Sequence, residues 1–320
     1  MIDLSPESTH RSFATIHDIR FSNFALNATM LCSLISFQGQ KKNASLILWA
    51  NFNNCLPLRG GPSKHMSELL KLGDIFLSFG GVNALSAVSA SVNEGKITAV
   101  IGPNGAGKTS LFNVISGFYR PTGGMVTYAG IDLLRKPSNE RASLGIARTF
   151  QNIALFSGLS VLENIKLGAH AHLKANALTA SLFLGGPARE ERELTATIDR
   201  DILNALGLYE IRDRPVSGLP YGQQKRIELA RAMVMRPRLL MLDEPFAGMP
   251  TEEKHRMADS IRQLVASGTV TALLIDHDME TVMGLCDHIV VLNFGKVIAS
   301  GAPETVRKHP EVIEAYLGTG

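Results

Sequence analysis

ITAVIGPNGAGKTSLFNVISG, residues 97–117, decides how this chain is read. Its first five residues form an unbroken apolar run, its middle is glycine-rich, and its last part sets Leu111, Phe112 and Ile115 at helical spacing before Gly117. That order predicts a buried strand, a tight loop, and a helix with one buried face and a glycine stop. The loop GPNGAGKTS (102–110) fits G-x-x-x-x-G-K-[ST] through Gly102, Gly107, Lys108 and Thr109, with Asn104, Gly105, Ala106 and Ser110 completing it. Between a strand and a helix, such glycines let backbone N–H groups close around a phosphate chain. The helix starting near Lys108 aims its positive end at that chain, and Lys108 neutralises charge there. Thr109 stands where its hydroxyl can reach Mg²⁺. An incidental glycine-rich turn would not need both flanking elements.

Regular patterning begins near residue 67, with strand-like segments at 69–79 and 84–92. The runs LLML (239–242) and VTALLI (270–275) are continuously apolar, as strands buried on both faces of a parallel sheet are. Between them, 251–268 places Met257, Ile261, Leu264 and Val265 on one helical face, with acidic residues first and Gly268 last. The alternation predicts a layered α/β core. Residues 152–235 interrupt it and read as an inserted helical subdomain, clearest at 198–206 and 223–235, with a Gly/Pro hinge at 185–187. No internal repeat appears, so a second copy of the unit is not expected.

RLLMLDEP (238–245) ends a buried strand in two carboxylates. Asp243 can hold Mg²⁺ through water, and Glu244 can polarise an attacking water. Alone, a strand leaving through Asp-Glu is common; beside a phosphate loop it gains meaning. Phe79 on its own reads as a packing aromatic, and His277 as a hydrogen-bonded structural histidine.

With 45% hydrophobic and 19% charged residues over 320, the chain is globular, large enough for one core of ~250 residues and appendages. The net charge of +3 is small and interspersed, so no nucleic-acid partner is expected. Cys32, Cys55 and Cys286 are widely spaced without a CxxC, which favours free thiols over disulfides or zinc. No apolar run reaches the ~18 residues of a membrane span; the nearest, SLILWANF (45–52), is broken by asparagines. The first residues lack the pattern of a secretory signal, so export is not expected. Residues 1–66 are patternless and read as an N-terminal extension, either a poorly ordered tail or sequence ahead of a start at Met66.

The phosphate loop, LPYGQQKRIELARAM (219–233), LMLDEP and LLIDHD (273–278) occur in the order of the hallmarks of ABC ATPases, and residues 67–320 resemble that family. ARTFQN (147–152), YGQQ, AGM after DEP, and the tail GAPETVRKHPEVIEAYLG (301–318) resemble the ATP-binding subunits of branched-chain amino acid transporters. The resemblance implies an α/β fold: an ABC-type P-loop ATPase core with a small antiparallel β subdomain and an inserted α-helical subdomain. It implies ATP and Mg²⁺, with Phe79 stacking on adenine, Gln151 sensing Mg²⁺ and a membrane subunit, and Glu244 and His277 acting at the γ-phosphate. Tyr221, Gly222 and Gln223 would cap the ATP of a second ATPase subunit. The further partners implied are two membrane permease subunits and, indirectly, a solute-binding protein, with the chain peripheral on the cytoplasmic face of the plasma membrane. The solute implied is a branched-chain amino acid or a related small polar molecule.

Two departures stand out. Pro220 replaces the serine or small residue usual before the signature glycine pair, and Pro250 the usual Asn or Asp of the loop coupling two ATP sites. They keep open a weakly hydrolytic, mainly ATP-binding partner in a heterodimer. A non-transport soluble ABC protein is the other alternative, although such proteins usually carry two cassettes or a long coiled-coil insertion.

Overall fold

The computed structural model describes residues 67–171 and 186–317. The readings made on 1–66, Cys32 and Cys55 among them, and on 172–185 lie outside the described residues. β1 (Glu68–Phe79) and β2 (Val82–Asn93) form an antiparallel pair, and β3 (Ile97–Ile101) leads through the glycine loop into α1 (Lys108–Ser116). Next come β4 (Gly123–Tyr128), β5 (Ile131–Asp132), α2 (Ser138–Ser143) and β6 (Ile146–Arg148). Helices α3 (Val161–Lys166), α4 (Gly186–Thr197) and α5 (Tyr221–Met233) then separate β6 from β7 (Leu239–Asp243). The chain closes with α6 (Thr251–Ala266), β8 (Thr271–Ile275), α7 (Met279–Leu285), β9 (His288–Asn293), β10 (Lys296–Gly301), α8 (Pro303–Arg307) and α9 (Pro310–Leu317).

The strands form two sheets. One is antiparallel, in the order β2-β1-β4-β5; the other runs β10-β9-β3-β8-β7-β6 and is parallel except for β10. β3, β7 and β8 are buried along their whole length. Alternation within them explains their unbroken apolar runs: Ile97, Ala99 and Ile101 join the core under the inserted helices, whereas Val100 joins the core shared with α1 and the antiparallel sheet. Each face of the parallel sheet thus has its own apolar layer. In register, Val100 and Asp243 both stand beside Ile275, so the carboxyl ends of β3, β7 and β8 open at one edge. That edge is where open α/β sheets bind ligands.

Several local expectations shift. Of the Gly/Pro hinge expected at 185–187, Gly186 and Pro187 instead open α4, with Pro187 in the first turn, where a missing N–H costs nothing. The helix expected over 198–206 is a π-helix at Ile198–Leu203 followed by turn. α5 starts at Tyr221, two residues before the expected 223, because Pro220 takes an extended ψ of 147° at its N-cap and so favours an immediate helix start. Gly268, at φ 77°, ends the turn after α6 as expected.

Candidate active site

The glycine loop is shaped by close backbone approach. A Cβ on Gly102 (φ 149°) would lie 2.0 Å from the Leu292 carbonyl oxygen, and one on Gly107 (φ 103°) 2.6 Å from that of Ala84. Gly105 (φ 80°) faces open space, so its left-handed conformation alone favours glycine. Gly107 caps α1 without any side-chain bond, which leaves the first-turn N–H groups of the helix for an external acceptor. The turn between β9 and β10 buttresses the loop: the Gly295 N–H donates to the Ala106 carbonyl at 3.0 Å, and the Ser86 N–H donates to the Gly295 carbonyl at 2.8 Å.

Lys108 is buried and donates from Nζ to the carbonyls of Gly102 (2.7 Å) and Pro103 (2.8 Å). Burial pushes its ammonium pKa down, and the nearby charge of Glu244 opposes that shift. Thr109 is exposed, Ser110 half-buried, and Asn104 exposed at the loop tip.

At the end of β7, Asp243 is buried and accepts from Arg148 Nη2 at 2.7 Å; the two side chains are 7% and 9% exposed. Arg148 also donates to Asn113 Oδ1 (2.8 Å) and Ser116 Oγ (3.1 Å), and its guanidinium lies 5.2–5.9 Å from the rings of Phe150, Phe112 and Phe118. Glu244 turns away at φ 49°, held by its N–H donating to the Ile275 carbonyl at 2.8 Å. Gln151 Nε2 donates to Glu244 Oε2 at 2.8 Å, so residues 93 positions apart meet at this edge.

His277 follows β8 with its side chain 62% exposed. Its backbone is fixed by Asp276, which is fully buried and accepts from the N–H groups of Phe246 (3.0 Å), His277 (2.8 Å) and Asp278 (2.9 Å). The imidazole is therefore presented to solvent from a rigid strand end. Phe79 is 47% exposed at the end of β1, not a core residue, and its ring meets Tyr119 edge-on at 5.0 Å.

The segment from Pro220 to Gln223 opens α5. The exposed Tyr221 ring packs on Gly248, 3.3 Å from where a Cβ there would sit, and lies 5.8 Å from Lys225 Nζ. Gly222 is buried against Glu253, whose Oε2 would be 1.8 Å from an added Cβ. Gln223 donates its N–H to the Pro220 carbonyl at 3.0 Å. Among the described residues no hydrogen bond or ion pair joins Tyr221, Gly222 or Gln223 to residues 102–110. Pro250 is the exposed N-cap of α6.

Sequence reasoning missed Arg148, Tyr119, and the buried Lys225 and Glu228. The only signal for Arg148 was a cation at a strand exit among aromatics. Lys225 and Glu228 carry no local signal, because charged residues on a helix are ordinarily exposed. Among the described residues no group of three or more His, Cys, Asp or Glu could hold a metal. The donors that are present, Asp243 at the end of β7 and the exposed Thr109 hydroxyl, are of the kind that suits Mg²⁺, which takes one or two carboxylates and completes its shell with water and phosphate.

Comparison with known proteins agrees with this arrangement. The family profile described as "ABC transporter" matches residues 85–247, and that described as "Branched-chain amino acid ATP-binding cassette transporter" matches 296–320. The chain is similar to the high-affinity branched-chain amino acid transport ATP-binding protein BraF of Pseudomonas aeruginosa, 42% identical over 250 residues, 78% of this chain and 98% of that one. It is 40% identical to LivG of Escherichia coli K12, described in the same words, over 252 residues and the same shares of each. The crystal structure of the ADP conformation of MJ1267, an ATP-binding cassette of an ABC transporter, superposes with a TM-score of 0.69 at 35% identity, covering 79% of this chain and 100% of that one. With half of the chain matched and relatives covered almost end to end, the chain belongs to the ABC transporter family, as one of its ATP-hydrolysing subunits.

Proposed function

We propose that this ATPase powers uptake of branched-chain amino acids through separate membrane subunits, from the cytoplasmic face of the membrane. The observation that carries the reading is the meeting of Lys108, Asp243, Glu244 and Gln151 at the carboxyl ends of β3 and β7, in a chain whose tail matches the branched-chain transporter family. No helix among the described residues is long and apolar enough to cross a membrane, which supports a peripheral role beside permeases. Solute choice then belongs to the partners.

In this reading Phe79 stacks on adenine, braced by Tyr119. The loop from Gly102 to Ser110 binds the phosphates, and Lys108 neutralises them. Bound Mg²⁺ supplies charge neutralisation between phosphates, and the Thr109 hydroxyl, the free Asp243 oxygen and the Gln151 side chain are the groups that would hold it. Glu244 polarises the attacking water, and His277 stabilises the γ-phosphate as charge develops. Tyr221, Gly222 and Gln223 cap the ATP of a second ATPase subunit.

The test is reconstitution with a second ATPase subunit, two permeases and a solute-binding protein in liposomes. Mg²⁺-dependent, ATP-driven leucine uptake is expected. Uptake of an amide or urea in preference to leucine would overturn the solute assignment, and ATPase activity indifferent to the permeases would overturn the coupling.

Pro220 and Pro250 support a second reading, a subunit that binds ATP well but contributes a poor signature to its partner's site. Pro220 supplies neither hydroxyl nor N–H. Pro220→Ser should then raise the steady-state ATPase rate of the complex; an unchanged rate removes the defect.

A further inference from the structure

Three charged side chains on one face of α5 grip the backbone that carries Gln151. Lys225 donates from Nζ to the Gln151 carbonyl at 2.7 Å. Glu228 accepts from the Ala154 N–H at 2.9 Å, and Arg231 donates to the Ala154 carbonyl at 2.6 Å. The three are spaced i, i+3 and i+6, which stacks them along one stripe of the helix. They are also tied to each other, Arg231 to Glu228 at 3.5 Å and Lys225 to Glu228 at 4.0 Å. Lys225 and Glu228 are 4% and 3% exposed, an unusual place for charges that serve no surface purpose.

Burial pushes the Lys225 pKa down and the Glu228 pKa up, each opposed by the other's charge. Glu228 Oε2 has no hydrogen-bond partner, and Glu228, Lys225 and Thr149 line a cavity of about 10 Å³, the space of a single water. Such a cluster is costly to bury, and an apolar stripe would hold the fold as well. What an apolar stripe cannot do is fix peptide groups at 151 and 154 in direction as well as position.

We propose that Lys225, Glu228 and Arg231 are positioning residues: they set the 151–154 backbone so that the Gln151 side chain reaches Glu244, and make that segment move as one body with α5. The same helix begins with Tyr221 and Gly222, so the brace ties the group that senses this chain's own ATP to the segment offered to the partner's ATP. The inference rests on the proposed role of Gln151.

The experiment uses the full-length chain in its reconstituted complex. Lys225→Met removes the donor at similar size, Lys225→Arg restores a cation, and Gln151→Ala removes the group being positioned. Lys225→Met should lower kcat about tenfold with KM for ATP changed less than twofold, and Lys225→Arg should recover most of the loss. The double variant Lys225→Met/Gln151→Ala should be no slower than Gln151→Ala, because Lys225 acts through Gln151. In the nucleotide-free chain, hydrogen exchange at the Ala154 amide should quicken in Lys225→Met while the β7 amides stay protected. Additive losses in the double variant, or unchanged exchange at Ala154, overturn the brace alone. Wild-type turnover in Gln151→Ala overturns the role of Gln151 and the brace with it.

Discussion

The side-chain amide of Gln151 donates to the carboxylate of Glu244 at 2.8 Å, joining the loop after β6 to the exit of β7. One neutral donor thus sets the direction of the Glu244 side chain. Glu244→Gln should preserve ATP binding and lower turnover by about 10²–10⁴-fold. Nucleotide titration beside a single-turnover assay checks this, and turnover near wild type would remove Glu244 from its role.

The loop glycines should separate by what surrounds them. Gly102→Ala forces a Cβ against the Leu292 carbonyl at 2.0 Å, whereas Gly105→Ala meets nothing within 4 Å. Gly105→Ala should cost only the strain of a left-handed residue, about 1 kcal/mol, and Gly102→Ala about 3 kcal/mol or more. Urea unfolding of the two variants reads the difference, and equal midpoints would contradict it.

Arg148 and Asp243 form a buried pair, so removing one partner strands the other. Arg148→Met should destabilise the chain by about 3–5 kcal/mol. Adding Asp243→Asn should recover part of that loss, since the buried charge is then gone. A double variant less stable than Arg148→Met in chemical denaturation would refute the pairing.

Burial pushes the Cys286 thiol well above its ordinary range, with the charges of Asp287 and Asp276 adding to the shift. The folded chain therefore keeps this proton at pH values where the unfolded chain has lost it. The stabilisation is complete below the unfolded thiol value near ~8.5 and is lost as pH rises, by up to about 1.4 kcal/mol per pH unit. Between about pH 8.5 and 10.5 wild type should lose stability more steeply than Cys286→Ala. Parallel stability curves would show the thiol to titrate alike in both states, against the burial argument.

The strand, glycine loop and helix over 97–117 were legible because an apolar run, a glycine-rich turn and a helical stripe each has one local cause. β7 and β8 were legible because both their faces are buried. β4, β9 and β10 were not anticipated: β4 is held by pairing with β1, β9 with β3 and β10 with β9, which no local pattern displays. Site residues in a loop motif could be read; those defined by tertiary partners could not. Arg148 acquires its meaning only beside Asp243, and Lys225 and Glu228 only beside the backbone of 151–154, which covers that face of α5.

The buttress formed by Gly295 and Leu292 against the glycine loop has a consequence for synthesis. A nascent chain that has left the ribosome through α1 holds every letter of the loop and the Ala84 carbonyl behind Gly107, but neither Leu292 nor Gly295, which come about 190 residues later. The loop takes its full shape only once that hairpin has emerged, so the part of the fold written first is among the last to be completed.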